Sequence, residues 1–203
     1  MSSFDVKTKP KKPMSQVNLD ALIKREDMFV PIIVGKTPSL PAQDFKITDL
    51  ESSAFFFASL RKPDFQRETT DWTPDKICDF IESFLNGDLI PAIVMWNSGT
   101  YNFAIDGAHR ISALIAWVRD DYGQGNLSKP FFGSDIDEGI LKLALKTRLL
   151  VNRKIGTYQE HKDIIQNPNS DPRLYERAVK LGNTSIKLQW VSGDYNVAER
   201  SFF

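Results

Sequence analysis

The residues best suited to binding or catalysis lie in one short stretch, residues 101–117. This stretch contains Asp106-Gly107-Ala108-His109-Arg110. Apolar residues alternate before this pentapeptide and recur at helical spacing after it, which predicts a strand, a tight turn and a helix. A helix that begins directly after a glycine turn has backbone N–H groups without partners, and its dipole favours an anion there. The turn is therefore a candidate site for a phosphate or carboxylate.

Three side chains near the turn could assist an anion. Without a bound anion, the positive charge of Arg110 is unfavourable at the N-terminal end of the helix dipole. Its guanidinium can, however, bind a phosphate through two hydrogen bonds. His109 and Ser112 supply further donors. The alternative is structural: Asp106 caps the helix and Arg110 pairs with a carboxylate elsewhere in the fold. Spacing alone leaves both alternatives open, because short motifs often match by chance.

The pentapeptide resembles the Asp-Gly-Gln-Gln-Arg and Asp-Gly-Gln-His-Arg motifs of the ParB/sulfiredoxin superfamily. The most similar branch is the family called domain of unknown function 262, found in bacterial restriction and phage-defence proteins. A second block supports the resemblance, because Gln66-Arg67 precedes Trp72, a predicted helix and Gly87-Asp88-Leu89-Ile90-Pro91, as in that family. The resemblance implies an α/β fold: a small mixed sheet with flanking helices and a ParB/sulfiredoxin-like core.

The resemblance also implies a function. In the similar defence proteins the motif is associated with binding and hydrolysis of a nucleotide, which controls a nuclease domain elsewhere in the chain. Hydrolysis of a nucleoside triphosphate requires a cation, usually Mg2+, and a group that orients water. Asp106 is the candidate for helping to hold Mg2+, and Gln66 is the candidate for orienting water. The candidate nucleotide-binding residues are Arg67, Gly107, Ala108, His109, Arg110 and Ser112.

Position 108 separates this chain from sulfiredoxin, which carries a cysteine nucleophile at the start of the helix. Here the position is Ala108, so thiol chemistry at this turn is excluded by residue type. His109 and Arg110 match the His-Arg pair that meets phosphates there. Compared with the commoner Gln-Gln-Arg form, the chain lacks a glutamine amide at position 108, so no role for that side chain carries over.

The composition limits which other classes of protein the chain could belong to. The chain has 203 residues, a formal net charge of zero and one cysteine, Cys78, so strong nonspecific binding to nucleic acid and an internal disulfide framework are not expected. No apolar segment has transmembrane length and the N-terminal residues contain no apolar region of a signal peptide, which predicts a cytoplasmic protein without a membrane partner. The two histidines are too few for a His-Asn-His nuclease motif. His161, among charged neighbours, is expected at the surface.

The sequence predicts two parts. Residues 1–44 are expected to form a flexible N-terminal arm with a short helix over residues 17–28, and residues 45–203 the nucleotide-binding domain. Within that domain, a helix over residues 73–86 and a hairpin over residues 92–105 are expected to support the central turn. The chain stops on Phe202-Phe203 inside a predicted helix, which suggests the N-terminal part of a longer protein with a C-terminal effector domain.

Other interpretations compete with nucleotide binding. A DNA-sensing module of ParB type could use Arg61, Lys62, Arg67 and the N-terminal lysines as a phosphate track. A scaffold could instead present the helix over residues 138–149 to the missing C-terminal domain. The chain could also form a homo-oligomer. The acidic residues at 134–138 could suggest a metal, but a helix cap with acidic residues in its first turn explains them better, so no metal ligand is predicted among them.

Overall fold

The computed structural model of the protein describes residues 15–29, 41–133 and 136–201. A six-stranded sheet runs through these residues in the order β1-β3-β5-β4-β6-β2. The pairs β1–β3, β3–β5 and β4–β6 are parallel, whereas β4–β5 and β2–β6 are antiparallel. The strands are β1 (Arg25–Glu26), β2 (Asp44–Lys46), β3 (Leu60–Pro63), β4 (Ile93–Asn97), β5 (Asn102–Asp106) and β6 (Ser185–Trp190). The predicted α/β class with a mixed sheet and flanking helices is confirmed.

Helices flank the sheet. The described residues form α1 (Phe55–Ser59), α2 (Pro74–Asn86), α3 (Ala108–Arg119), α4 (Ser128–Phe132), α5 (Glu138–Lys154), α6 (Tyr158–Asp163), α7 (Pro172–Asn183) and α8 (Tyr195–Arg200). Short 3-10 turns occur at Asp20–Leu22, Ile47–Leu50 and Ile164–Gln166. Asp137 caps α5 by accepting a hydrogen bond from the N–H of Gly139 at 2.8 Å, which confirms the cap interpretation of the acidic segment.

The helix predicted over residues 73–86 is confirmed as α2. Thr73 caps it by accepting from the N–H of Lys76, Pro74 occupies the first turn, and Gly87 ends it with a φ of 75°. The helix packs against α3, α5 and α7. Its apolar face is buried, and Cys78 is buried with it, so its thiol is a core group. Burial raises the pKa of that thiol, which keeps it protonated.

The hairpin of β4 and β5 delivers the central turn as predicted. The two strands pair antiparallel from Val94 and Asp106 to Asn97 and Asn102, and Gly99 turns the chain with a φ of 87°. Helix α3 follows β5 after one glycine, and its apolar face is buried in the main core. Because β5 pairs with β3 on one side and with β4 on the other, the strand that leads into the turn is held within the sheet.

The described part of the predicted arm is packed into the fold. Val17, Leu19, Leu22 and Ile23 are buried in the main core. In place of the helix predicted over residues 17–28 there is a 3-10 turn followed by β1, because the chain here pairs in parallel with β3 instead of folding on itself. The division into an arm and a domain stays a prediction, and the lysine-rich tail and Phe202–Phe203 lie outside the described residues.

The prediction for His161 is wrong. Its side chain is buried on α6, packs edge-on against the ring of Trp117 at 5.2 Å, and shares a 2.8 Å hydrogen bond with the carbonyl of Thr157. The charged neighbours that suggested a surface position lie on the other faces of the short helix.

Across the described ranges, no helix is both long enough and apolar enough to cross a membrane.

Candidate functional site

The turn between β5 and α3 requires glycine at position 107. Gly107 has a φ of 94°, a conformation that side chains with a Cβ atom rarely adopt. A Cβ atom there would overlap the Cδ1 atom of Ile93 and lie 3.0 Å from an Nη atom of Arg110. Gly107 is the N-cap of α3, and no side chain in the described structure caps this end of the helix. The first N–H groups of α3 are therefore available to a ligand.

Arg110 is part of the turn's own structure. Its guanidinium forms an ion pair of 2.8 Å with Asp106 and donates to the carbonyls of Pro91 and Ala92, before β4. Its side chain is largely buried, whereas that of Asp106 is mostly exposed. Arg110 thus ties β5 to the segment before β4 and holds Asp106 in place. The structural alternative had Arg110 paired with a carboxylate elsewhere in the fold and Asp106 as the helix cap; Arg110 instead pairs with Asp106 in the same turn, and Asp106 does not cap the helix.

A cleft of about 370 Å³ lies over the turn. It brings together two sequence blocks that are 40 residues apart, from Gln66 to Asp106. The lining residues are Phe65, Gln66, Arg67, Thr69, Asp106, Gly107, Ala108 and His109. Six of the eight residues predicted for the site line the cleft, and the other two, Arg110 and Ser112, do not. Ser112 is fully buried in α3, and its hydroxyl has no hydrogen-bond partner among the described residues.

Gln66 lines the cleft and carries a buried acceptor. Its amide nitrogen donates to the carbonyls of Ala104 and Ile105, at 3.5 and 3.3 Å, near the end of β5. Because carbonyl oxygens require a donor, this contact fixes which end of the amide faces the strand. The relative exposure of Gln66 is 9 %, and its Oε1 atom has no hydrogen-bond partner among the described residues. A buried, unsatisfied acceptor is costly, so it marks a place for a donor.

His109 forms the side wall of the cleft. Its ring stacks on that of Trp72, with centroids 5.9 Å apart, and its Nε2 atom accepts the backbone N–H of Asp71 at 3.4 Å. Burial lowers the pKa of His109, although the nearby Asp71 carboxylate acts in the opposite direction. The neutral ring, protonated on Nδ1, fits this arrangement. Arg67 projects from the opposite block and is 78 % exposed, with Asp71 at 3.3 Å.

A buried ionic network that the sequence did not predict supports the cleft from below. Lys62 is fully buried, and its ammonium group donates to the carboxylate of Asp20 at 2.5 Å. Thr69, which lines the cleft, donates its backbone N–H to the same carboxylate at 2.9 Å. Arg25 on β1 donates to Asp20 and to the carbonyls of Asp64 and Gln66. The network therefore fixes the backbone on both sides of Gln66.

The electrostatics of the network follow from its burial. Burial lowers the pKa of Lys62, and the hydrogen bond to Asp20 partly offsets this effect. For Asp20, burial raises the pKa, but hydrogen bonds from Lys62 and Thr69 together outweigh it and leave the pKa below its usual value. The pair is held charged by mutual contact. The sequence around Lys62 gave no sign that this lysine of β3 would be buried.

The residues proposed for a DNA phosphate track are not available as predicted. Lys62 is inside the fold, and the side chain of Arg61 is 12 % exposed and lies over the ring of Tyr101 at 4.2 Å. Among the described residues of that set, only Arg67 remains exposed. The N-terminal lysines lie outside the described residues.

The cleft offers limited protein ligation to a cation. Asp106 is the one carboxylate among the described residues that line it, and no group of three or more potential metal ligands occurs in the described parts of the chain. Mg2+ in nucleotide sites is commonly held by one or two carboxylates together with the phosphates. The residues present fit a cation that arrives with a triphosphate, for which Asp106 would be the protein ligand.

The fold and site can now be compared with known proteins. No curated protein and no solved structure matches the chain significantly. Residues 47–196 match the family described as GmrSD restriction endonuclease, N-terminal domain. This match includes both cleft-forming blocks, Gln66-Arg67 and the turn from Asp106 to Arg110. It covers most of the chain and confirms the family expected from those motifs. The protein therefore belongs to the GmrSD N-terminal domain family, the domain of unknown function 262 group of restriction and phage-defence proteins.

Proposed function

We propose that the cleft binds a nucleoside triphosphate with Mg2+ and hydrolyses it slowly, as the sensor module of a phage-defence system. The observation that carries the proposal is the unsatisfied Oε1 atom of Gln66, buried in a cleft whose other wall is the uncapped N-terminus of α3. The helix N-terminus supplies N–H donors and a favourable dipole for phosphate. Arg67, exposed at the same cleft, supplies a mobile positive charge.

Each lining residue has a role in this proposal. The N–H groups of Ala108 and His109 bind phosphate oxygens, and Gly107 allows the phosphates to approach the backbone closely. Arg67 binds phosphate oxygens from the opposite side. Asp106 would hold a Mg2+ ion that accompanies the nucleotide, and the ion would offset the charge of the phosphates. Arg110 acts indirectly, by holding Asp106 and the turn in position.

Gln66 is proposed to orient the attacking water. In this role its Oε1 atom accepts one O–H of the water, and the contacts of its amide nitrogen with β5 fix the orientation of the amide. The water oxygen forms a bond to the terminal phosphorus as the bond to the bridging oxygen breaks, which gives a nucleoside diphosphate and inorganic phosphate. His109 is neutral here and shapes the wall without adding charge.

Calorimetric titration of the whole chain with the four nucleoside triphosphates and Mg2+ tests binding. We expect Arg67→Ala to weaken the tightest of them by about tenfold, which corresponds to one lost charge-assisted hydrogen bond. Arg173→Ala is the matched control, because Arg173 is an exposed arginine on α7 outside the cleft. Failure of a well-folded protein to bind any triphosphate would overturn the proposal.

Hydrolysis is tested separately, by release of inorganic phosphate from the nucleotide that binds. Gln66→Met keeps the size of the side chain but removes the acceptor, so the rate should fall by at least about a hundredfold with little change in affinity. An unchanged rate would remove Gln66 from the reaction. The alternative, a DNA-sensing module, predicts salt-dependent binding to duplex DNA in the absence of nucleotide.

A further inference from the structure

Helix α5 presents an apolar row that remains exposed among the described residues. Leu141, Leu145 and Leu149 are four residues apart and therefore lie along one line of the helix. They are 39 %, 51 % and 60 % exposed, while Leu143, Ala144 and Val151 on the opposite side are buried. The helix thus has two apolar faces, and the domain core uses one of them. Such a second face on a helix is typical of a protein interface.

Basic residues flank the leucine row. Lys142 and Lys146 each follow a leucine of the row, and Arg153 continues the row by one turn. Lys142 forms an exposed ion pair with Glu138 at 2.7 Å. Lys146 and Arg153 have no ion-pair partner among the described residues. The exposed face of α5 is therefore apolar along its line and positive along its flank.

The charges beside the leucine row indicate whether a second copy of the chain or another protein could cover this face. In a symmetric dimer the same patch meets itself, so two copies would place basic flank against basic flank. Like charges across an interface are unfavourable, and this argues against a second copy. A partner helix with its own apolar row and an acidic flank would meet both features.

We propose that the exposed face of α5 docks an amphipathic helix of another protein, one with a leucine-type row flanked by glutamate or aspartate. Leu145 lies at the centre of the surface, where fully covered apolar residues contribute most to binding. Lys146 and Arg153 select the acidic partner and speed its encounter. This surface is formed by a different element from the cleft, so the proposal stands without nucleotide binding.

Two synthetic helical peptides of about 20 residues provide the probe. Both carry leucines at every fourth position, flanked by glutamates in one peptide and by lysines in the other. Fluorescence anisotropy with the whole chain should show the glutamate peptide binding at least about tenfold more tightly. Leu145→Ser should abolish binding, while Leu89→Ser, which changes a 99 % exposed leucine elsewhere, should leave it unchanged. Lys146→Glu should reduce or reverse the preference between the peptides.

Other results would overturn the proposal. Equal binding of the two peptides, or binding of neither by protein with an unchanged unfolding temperature, would show that the face does not select an acidic helix. Self-association in sedimentation that Leu145→Ser removes would assign the face to a second copy. Binding to phosphatidylglycerol vesicles that Leu145→Ser removes would assign it to a membrane surface.

Discussion

Two polar clusters lie on either side of the same backbone segment, residues 64–69, and their polar atoms are paired to different extents. Below the segment, Asp20 accepts from Lys62, Arg25 and the N–H of Thr69, so its buried carboxylate is surrounded by donors. Above it, the Oε1 atom of Gln66 is equally buried but has no partner in the described structure. The lower cluster is complete without a ligand, and the upper one is not.

The difference separates residues that hold the fold from residues that await a ligand. A satisfied ionic network fixes geometry, and removing one member exposes the full desolvation cost of the other. An unsatisfied buried acceptor costs the free protein stability, so its removal should cost little stability and much function. The predictions below test this contrast, from the largest expected effect to the smallest.

Lys62→Met should lower the free energy of unfolding by about 3–5 kcal/mol, because it leaves the buried carboxylate of Asp20 without its closest cation. Urea denaturation at neutral pH measures the effect. Lys187→Met is the matched control: Lys187 pairs with Asp44 at 2.8 Å but is 70 % exposed, so its loss should cost about 1 kcal/mol or less. If both variants cost the same, the network below the cleft is no stronger than a surface ion pair.

Gly107→Ala should cost about 2–3 kcal/mol of stability, since it combines a positive φ with overlap against Ile93. Gly99→Ala separates the two causes. Gly99 has a φ of 87° in the β4–β5 hairpin, but nothing lies within 4 Å of an added Cβ atom, so this variant should show the backbone strain alone, about 1–2 kcal/mol. Equal losses in thermal unfolding would mean that Ile93 moves aside at no cost.

The chain around the turn could be predicted because its signals are local. The period of apolar residues changes at Asp106-Gly107, Thr73-Pro74 marks the start of α2, and Gly87 marks its end. Each of these signals is set by residues a few positions apart. The family motifs added the pairing of Gln66 with the turn, and the cleft does contain both.

The rest of the site depends on contacts between distant residues. From the sequence, Lys62 is expected at the surface. In the structure β1 covers it, and the carboxylate of Asp20, 42 residues away, accepts a hydrogen bond from its ammonium group. The sequence indicates Arg110 as a phosphate ligand, but it does not show that the guanidinium donates to the carbonyls of Pro91 and Ala92. His161 reads as exposed until Trp117 packs on it. Propensity and spacing carry no information about such partners, because tertiary packing decides which charged side chains are enclosed.

The two histidines should make the protein less stable in mild acid. Burial lowers the pKa of both His109 and His161, so near pH 6.5 the unfolded chain takes up more protons than the native state does. Stability therefore falls as the pH decreases from about 7 to 5, with a slope of at most about 1.4 kcal/mol per pH unit for each histidine. His109→Gln and His161→Gln should each flatten the slope in urea denaturation. An unchanged slope in either variant would mean that this histidine is protonated in the native state.

Gln66→Met should change the free energy of unfolding by about 1 kcal/mol or less, the smallest effect of the series. The variant loses two long hydrogen bonds to β5, but it also removes a buried acceptor without a partner and adds apolar contact. The two effects oppose each other, and urea denaturation beside the Lys62→Met variant measures their balance. A loss above about 2 kcal/mol would show that Oε1 is satisfied in the free protein. The contrast between the two clusters would then fail, because Gln66 would belong with Asp20 and Lys62 among the residues that hold the fold.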